Sequence, residues 1–160
     1  MAWHTWLPYL VSAGATVAVL TAGGLLTEIG PWYYELRKPS WQPPDWLFGP
    51  AWTTIGILTA WSAAIAWRHA PGGPERWVIL SLFALNGMLN VGWSLFFFKW
   101  HRPDWALMEV VPLWLSVLLL VLETGSITAR AGLLLLPYLL WVTFAAVLNR
   151  AIVQRNVPFA

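Results

Sequence analysis

Two amides and a group of indoles recur at spacings that gather them on common faces. Asn86, Asn90, Trp93 and Phe97 follow one another at i, i+4, i+7 and i+11, a single stripe of a helix. Trp141, Ala145 and Leu148 form a similar stripe later in the chain, and the small Ala145 leaves room beside the Trp141 indole. Amides left in hydrocarbon would lack partners, so Asn86 and Asn90 are expected to face the interior of a bundle. Indole walls with amide handles suit a flat, largely apolar ligand carrying a few polar groups. Glu109 reads either as a proton-relay carboxyl or as an acid that reaches the interface or pairs with an Asn or Arg. The three histidines, His4, His69 and His101, stand on loops or helix ends on both sides, which argues against a metal or haem site. There is no cysteine, no Ser/His/Asp constellation and no phosphate-cradling glycine loop.

The elements that must hold these residues are membrane helices. Of 160 residues, 59% are hydrophobic and only 10% are charged, against roughly 25% charged in a soluble domain. The apolar residues lie in long runs, and the expectation is an all-α integral membrane protein in one domain over residues 1–160. Five spans are predicted, at about 7–26, 46–68, 77–98, 105–123 and 128–150. Pro8 falls in the first turn of the first of these, where a missing N–H is harmless. No basic residue precedes that run, so it reads as a retained helix and not as a cleavable signal. The Pro44-Asp45-Trp46 and Pro103-Asp104-Trp105 triplets open the second and fourth spans, each with an aspartate suited to a helix N-cap.

Between the first two spans lies residues 27–45, an aromatic and proline-rich loop. Trp32, Tyr33, Lys38, Pro39, Pro43 and Pro44 mark it as a lid, because fixed φ angles and charge oppose a buried helix. At about 1.5 Å of rise per residue, Trp52, Asn90, Trp93, Glu109 and Trp141 all lie roughly 8 to 14 Å below the lid side of the bilayer. With five spans the lid side carries Arg37, Lys38, Lys99, Arg102, Arg150 and Arg155, and the other side Arg68, Arg76 and Arg130. The positive-inside rule then makes the lid side and the carboxyl terminus cytoplasmic, with the amino terminus opposite. A net charge of +2 gives no reason to expect nucleic acid.

The loop pattern Trp32-Tyr33-x-x-Leu36-x-Lys38-Pro39-Ser40-Trp41-x-Pro43-Pro44 resembles the first loop of the translocator protein family, the tryptophan-rich sensory proteins. Pro50-x-Trp52-Thr53, Leu89-Asn90-x-x-Trp93-Ser94, Trp105-Ala106-Leu107 with an acid at Glu109, and Pro137-Tyr138-Leu139-x-Trp141 with Phe144-Ala145 are similar to later stretches of the family in the same order. The resemblance spans nearly the whole chain and suggests a bacterial member. It implies a five-transmembrane-helix bundle, a homodimer in membrane lipid, and binding of porphyrins or other flat apolar ligands from the loop side. No tightly bound cofactor is implied, and protoporphyrin would be ligand or substrate. By resemblance, Trp52 and Trp141 would take part in light-dependent oxidative breakdown of porphyrin. Residues and resemblance together put Trp41, Trp52, Asn86, Asn90 and Trp93 in the ligand site, with Trp105, Glu109, Trp141, Ala145 and Leu148.

The chain departs from the family at Ile55-Gly56, where Gly56 would enlarge the pocket or loosen packing, at Asn86 in place of a Gln, and at Arg150 in place of a sterol-motif Tyr. Ordinary roles account for most other tryptophans: Trp3, Trp6, Trp46, Trp67, Trp77 and Trp100 are expected as interface anchors, and Trp61 and Trp114 as packing or lipid-facing groups. Gly14, Ala18 and Ala22 form a small-residue stripe that suits either a dimer contact or packing within the bundle. A small proton-coupled transporter of hydrophobic compounds, with Glu109 as the coupling acid, is the alternative reading.

Overall fold

The computed structural model describes residues 3–159, and the side chains of Trp3 and His4, with their expected roles, lie outside the described residues. Five long helices carry the chain: α1 (Trp3–Leu26), α3 (Phe48–His69), α4 (Pro74–Ser94), α5 (Pro103–Ile127) and α6 (Ala129–Asn156). A short helix, α2 (Pro31–Glu35), lies within the lid, which is therefore not irregular throughout. Pro31 opens α2, where its missing N–H is harmless and its fixed φ suits the first helical residue. No strand occurs among the described residues.

Four stretches are long and apolar enough to cross a membrane: Thr5–Leu26, Pro74–Lys99, Pro103–Ile127 and Ala129–Asn156. The expected second span does not join them on apolarity. At 22 residues α3 has the length, but Thr53, Thr54, Thr59, Ser62 and three tryptophans dilute it.

Helix boundaries differ from expectation for local reasons. Because α1 begins at Trp3, Pro8 lies in its interior and not in its first turn. The Pro71-Gly72-Gly73-Pro74 turn needs both glycines, with φ of 114° and 60°, and lets α4 start three residues earlier than predicted. α4 then ends in a π-helical turn over Leu95–Lys99, closed by Trp100 N–H to the Leu95 carbonyl at 2.9 Å. α6 runs six residues past Arg150 and so reaches the lid. Neither aspartate of the two triplets caps its helix through its side chain. Asp45 sits in a 3₁₀ turn before α3 and serves the lid, while Asp104 pairs with Arg102.

Packing closes the long helices into a ring: α1 against α3 and α4, α3 against α6, α6 against α5, and α5 against α4. The tightest seam is the α5–α6 hairpin. A Cβ on Gly132 would stand 2.8 Å from the Gly125 Cα and 2.9 Å from the Val121 carbonyl. Gly132→Ala should therefore force the hairpin apart and lower stability by about 1–3 kcal/mol. A thermal unfolding midpoint equal to that of the parent protein would refute this. Gly56 also marks a close approach, though to side chains and not to backbone: a Cβ there would lie 2.6 Å from Leu20 Cδ1 and 3.2 Å from Thr16 Cγ2 on α1.

Candidate functional site

The lid is tied down along its length. Tyr33, only 6% exposed, is driven between Phe97, Ala106, Leu148 and Ile152 as a plug. Its hydroxyl donates to Asp45 at 2.8 Å and accepts from Gln42 at 3.2 Å. Burial first, then the hydrogen bond to Asp45, push that hydroxyl far above the ordinary tyrosine value. The Lys38 ammonium lies 3.7 Å from the centre of the Tyr33 ring, and partial burial pulls its pKa down. Trp32 stacks on His101 with centroids 4.1 Å apart. Arg37 exchanges two backbone hydrogen bonds with the Asn156 side chain, at 2.8 and 2.9 Å, which is why the extra length of α6 matters. A Glu28–Lys99 ion pair joins the lid to the end of α4, but both partners are half exposed and contribute little.

Beneath the lid the aromatic residues form a connected series. Trp41 meets Phe144, Phe144 meets Trp141, and Trp141 lies edge-on to Phe48 and to Trp52, the two indole centroids being 6.5 Å apart. Trp52 continues to Tyr138 at 5.9 Å. On the other side Trp93 stacks on Phe97 at 5.0 Å. Offset and edge-to-face rings at these distances fill space efficiently, so much of the expected slot beneath the lid is occupied by the aromatics themselves.

Asn86 and Asn90 do face inward. Tyr138 stands between them: its hydroxyl donates to Asn86 Oδ1 at 3.2 Å and accepts from Asn90 Nδ2 at 2.9 Å. Asn86 Nδ2 goes on to Ser116 at 2.9 Å. This amide–phenol ladder forms one wall of a cavity of about 850 Å³ that runs between α1, α3 and α4. Trp52 and Gly56 line it from α3, and the small face of α1 around Ala15, Ala18 and Ala22 fronts it. The cavity thus adjoins the lid instead of lying squarely under it. The physical reason is that α1 carries the small side chains.

The expected site residues therefore divide. Trp52, Asn86 and Asn90 line the cavity; Trp41, Trp93, Trp141 and Leu148 belong to the aromatic and apolar packing beside it. Ala145 lies between them on the α6 face and is partly buried. Trp105 is 39% exposed and packs on Phe96, Trp100 and the Arg102 guanidinium, away from the cavity. Both carboxylate oxygens of Glu109 are buried with no hydrogen-bond partner among the described residues. Of the tryptophans expected as anchors, Trp6, Trp46, Trp77 and Trp100 are exposed, whereas Trp67 lines the cavity. Tyr138, the hub of the ladder, was absent from the expected site. Its signal was available, because Tyr138, Trp141 and Ala145 extend the α6 stripe by one turn at i, i+3 and i+7.

A model of the TspO/MBR family matches residues 10–155. The chain belongs to the TspO/MBR family. It is 42% identical over 145 residues to the tryptophan-rich protein TspO of Chlorobaculum tepidum, covering 89% of this chain and 92% of that one. It is similar also to the protein CrtK of Rhodobacter capsulatus, 37% identical over 144 residues and covering 90% and 86% of the two chains. Similarity to the translocator protein of Sus scrofa is 33% over 156 residues, with 93% and 92% covered. Membership, with four helices apolar enough to span, makes this TspO/MBR protein an integral membrane protein of a sensory or binding family.

Proposed function

We propose that this TspO/MBR protein is a membrane receptor for protoporphyrin and similar flat, largely apolar molecules, and that it promotes their light-dependent oxidative loss. The supporting observation is the cavity of about 850 Å³ whose apolar walls carry two indoles, Trp52 beside the polar ladder Asn86–Tyr138–Asn90 and Trp67 at the far end. Such a combination holds a planar guest by area and orients it by a few hydrogen bonds. Protoporphyrin should quench tryptophan fluorescence saturably in the dark, and filling the cavity with Ala18→Phe should abolish saturation. Equal quenching by parent and variant would refute the site.

The reading includes five membrane crossings, α3 included, with lid and carboxyl terminus in the cytoplasm, supported by the basic-residue count of six against three. The chain has no cysteine, so single introduced cysteines test it directly. A lid cysteine at Ser40 and one at the exposed Glu75 should label from opposite faces of sealed vesicles, and labelling from one face would refute it.

Glu109 supports a second reading. A carboxylate with both oxygens buried and unpartnered is the kind of group that carries protons through a membrane protein. Proton-coupled flux of a hydrophobic substrate into liposomes, removed by Glu109→Gln, would favour transport; undiminished flux in that variant would end it.

A further inference from the structure

The cavity does not stop at the ladder. Its far end, opposite the lid, is bounded by Leu7 and Pro8 of α1, Trp67 of α3 and Ile79 of α4. The same Leu7, Pro8 and Trp67 border a second recess of about 370 Å³ that is completed by Thr5, Arg68 and Arg76. Neither arginine forms an ion pair with a carboxylate among the described residues, although Glu75 is adjacent in the chain. Arg76 Nε is buried without a hydrogen-bond partner, and its guanidinium lies 5.3 Å from the Trp67 ring. Arg68 donates to the Tyr9 hydroxyl at 3.1 Å, which holds it at the mouth.

An apolar channel that opens on two guanidinium groups matches a molecule with a hydrocarbon tail and an anionic head. From Leu7 to Ala22 the α1 wall is about 22 Å long by helical rise, more than the roughly 15 Å of hydrocarbon in one leaflet. We propose that this end of the cavity binds an anionic phospholipid, with one acyl chain between α1, α3 and α4 and the phosphate on Arg68 and Arg76. Guanidinium suits the role because its fork meets phosphate oxygens in pairs, and Arg76 is held at the recess by its cation–π approach to Trp67. The phosphate site lies at the opposite end of the bundle from the lid, whereas the acyl chain shares the cavity assigned above to the planar guest, so lipid and protoporphyrin should compete for it while only the lipid depends on Arg68 and Arg76.

Native mass spectrometry of the full-length protein in detergent, offered phosphatidylglycerol and phosphatidylcholine of identical chains, provides the test. Retention of phosphatidylglycerol should exceed that of phosphatidylcholine, and R68Q and R76Q should each reduce the excess about fivefold, as expected for one basic residue at a lipid surface. R68K/R76K should restore part of it, which a merely misfolded variant would not. Ala63→Leu, inside the channel, should weaken both lipids while leaving the preference between them. Equal retention of the two lipids, or an excess unchanged in R68Q/R76Q, would overturn the proposal. So would displacement of the lipid by palmitate or protoporphyrin with the same arginine dependence and tighter binding, since the arginines would then serve a carboxylate ligand.

Discussion

In the Trp52→Phe/Trp141→Phe protein, light-driven loss of bound protoporphyrin should fall by at least about tenfold, equivalent to about 1.4 kcal/mol of barrier, while dark binding survives. The two indoles stand edge-on with centroids 6.5 Å apart, and of the two only Trp52 lines the cavity. Under the proposed function Trp52 is the indole that meets the excited porphyrin or the oxidant it generates. Trp141, packed between Phe48, Trp52 and Phe144, is the neighbour that shares the resulting oxidation. The singles should therefore differ: Trp52→Phe alone should remove most of the activity and Trp141→Phe less. Absorbance at the porphyrin band under steady illumination, against a dark control, reads the outcome. Parent-like loss in the double variant would end the photochemical half of the reading and leave binding intact.

Tyr138→Phe is the second change with a large consequence. It keeps the ring against Trp52, 5.9 Å away, and removes only the hydroxyl that serves Asn86 and Asn90. Two hydrogen bonds inside a membrane bundle, at an average of about 0.6 kcal/mol each, plus the burden of a stranded Asn86 carbonyl, set the loss of stability at about 1–2 kcal/mol. Affinity for protoporphyrin should drop about tenfold, because both amides lose the partner that fixes their rotamers on the cavity wall. A thermal midpoint and a dark quenching titration measure the two effects separately. Unchanged affinity alongside lowered stability would mean that the ladder only holds helices together; if neither moves, the ladder is immaterial.

Much of the molecule was legible beforehand. Helix positions follow from apolar runs, since backbone polar groups in lipid have no water to turn to and must be satisfied within a helix. The inward facing of Asn86 and Asn90 follows from the same shortage of partners. What was misread has local causes. Asp45 has the type and place of an N-cap, yet a phenol and an amide brought from the lid compete for its carboxylate. Trp67 resembles other helix-end tryptophans, and only the approach of α1 and α4 gives it a cavity to line. Trp105 shares a motif with its neighbours but turns outward to Trp100 and Arg102.

Residue order alone determined that this would be a membrane bundle with its amides turned inward and a proline-stiffened segment across one end. Hydrophobicity and fixed φ angles act locally, so they can be read along the chain. The location of the void was decided only by the tertiary structure. A cavity is what remains after side chains from helices distant in sequence have met. Here its place was set by how closely Gly56 lets α3 approach Leu20 of α1 and by how completely Trp93, Trp141 and Tyr33 fill the space beneath the lid. Helices that are apolar on most faces carry little signal for their rotation about their own axes, and that rotation is what turned Tyr138 inward and Trp105 out.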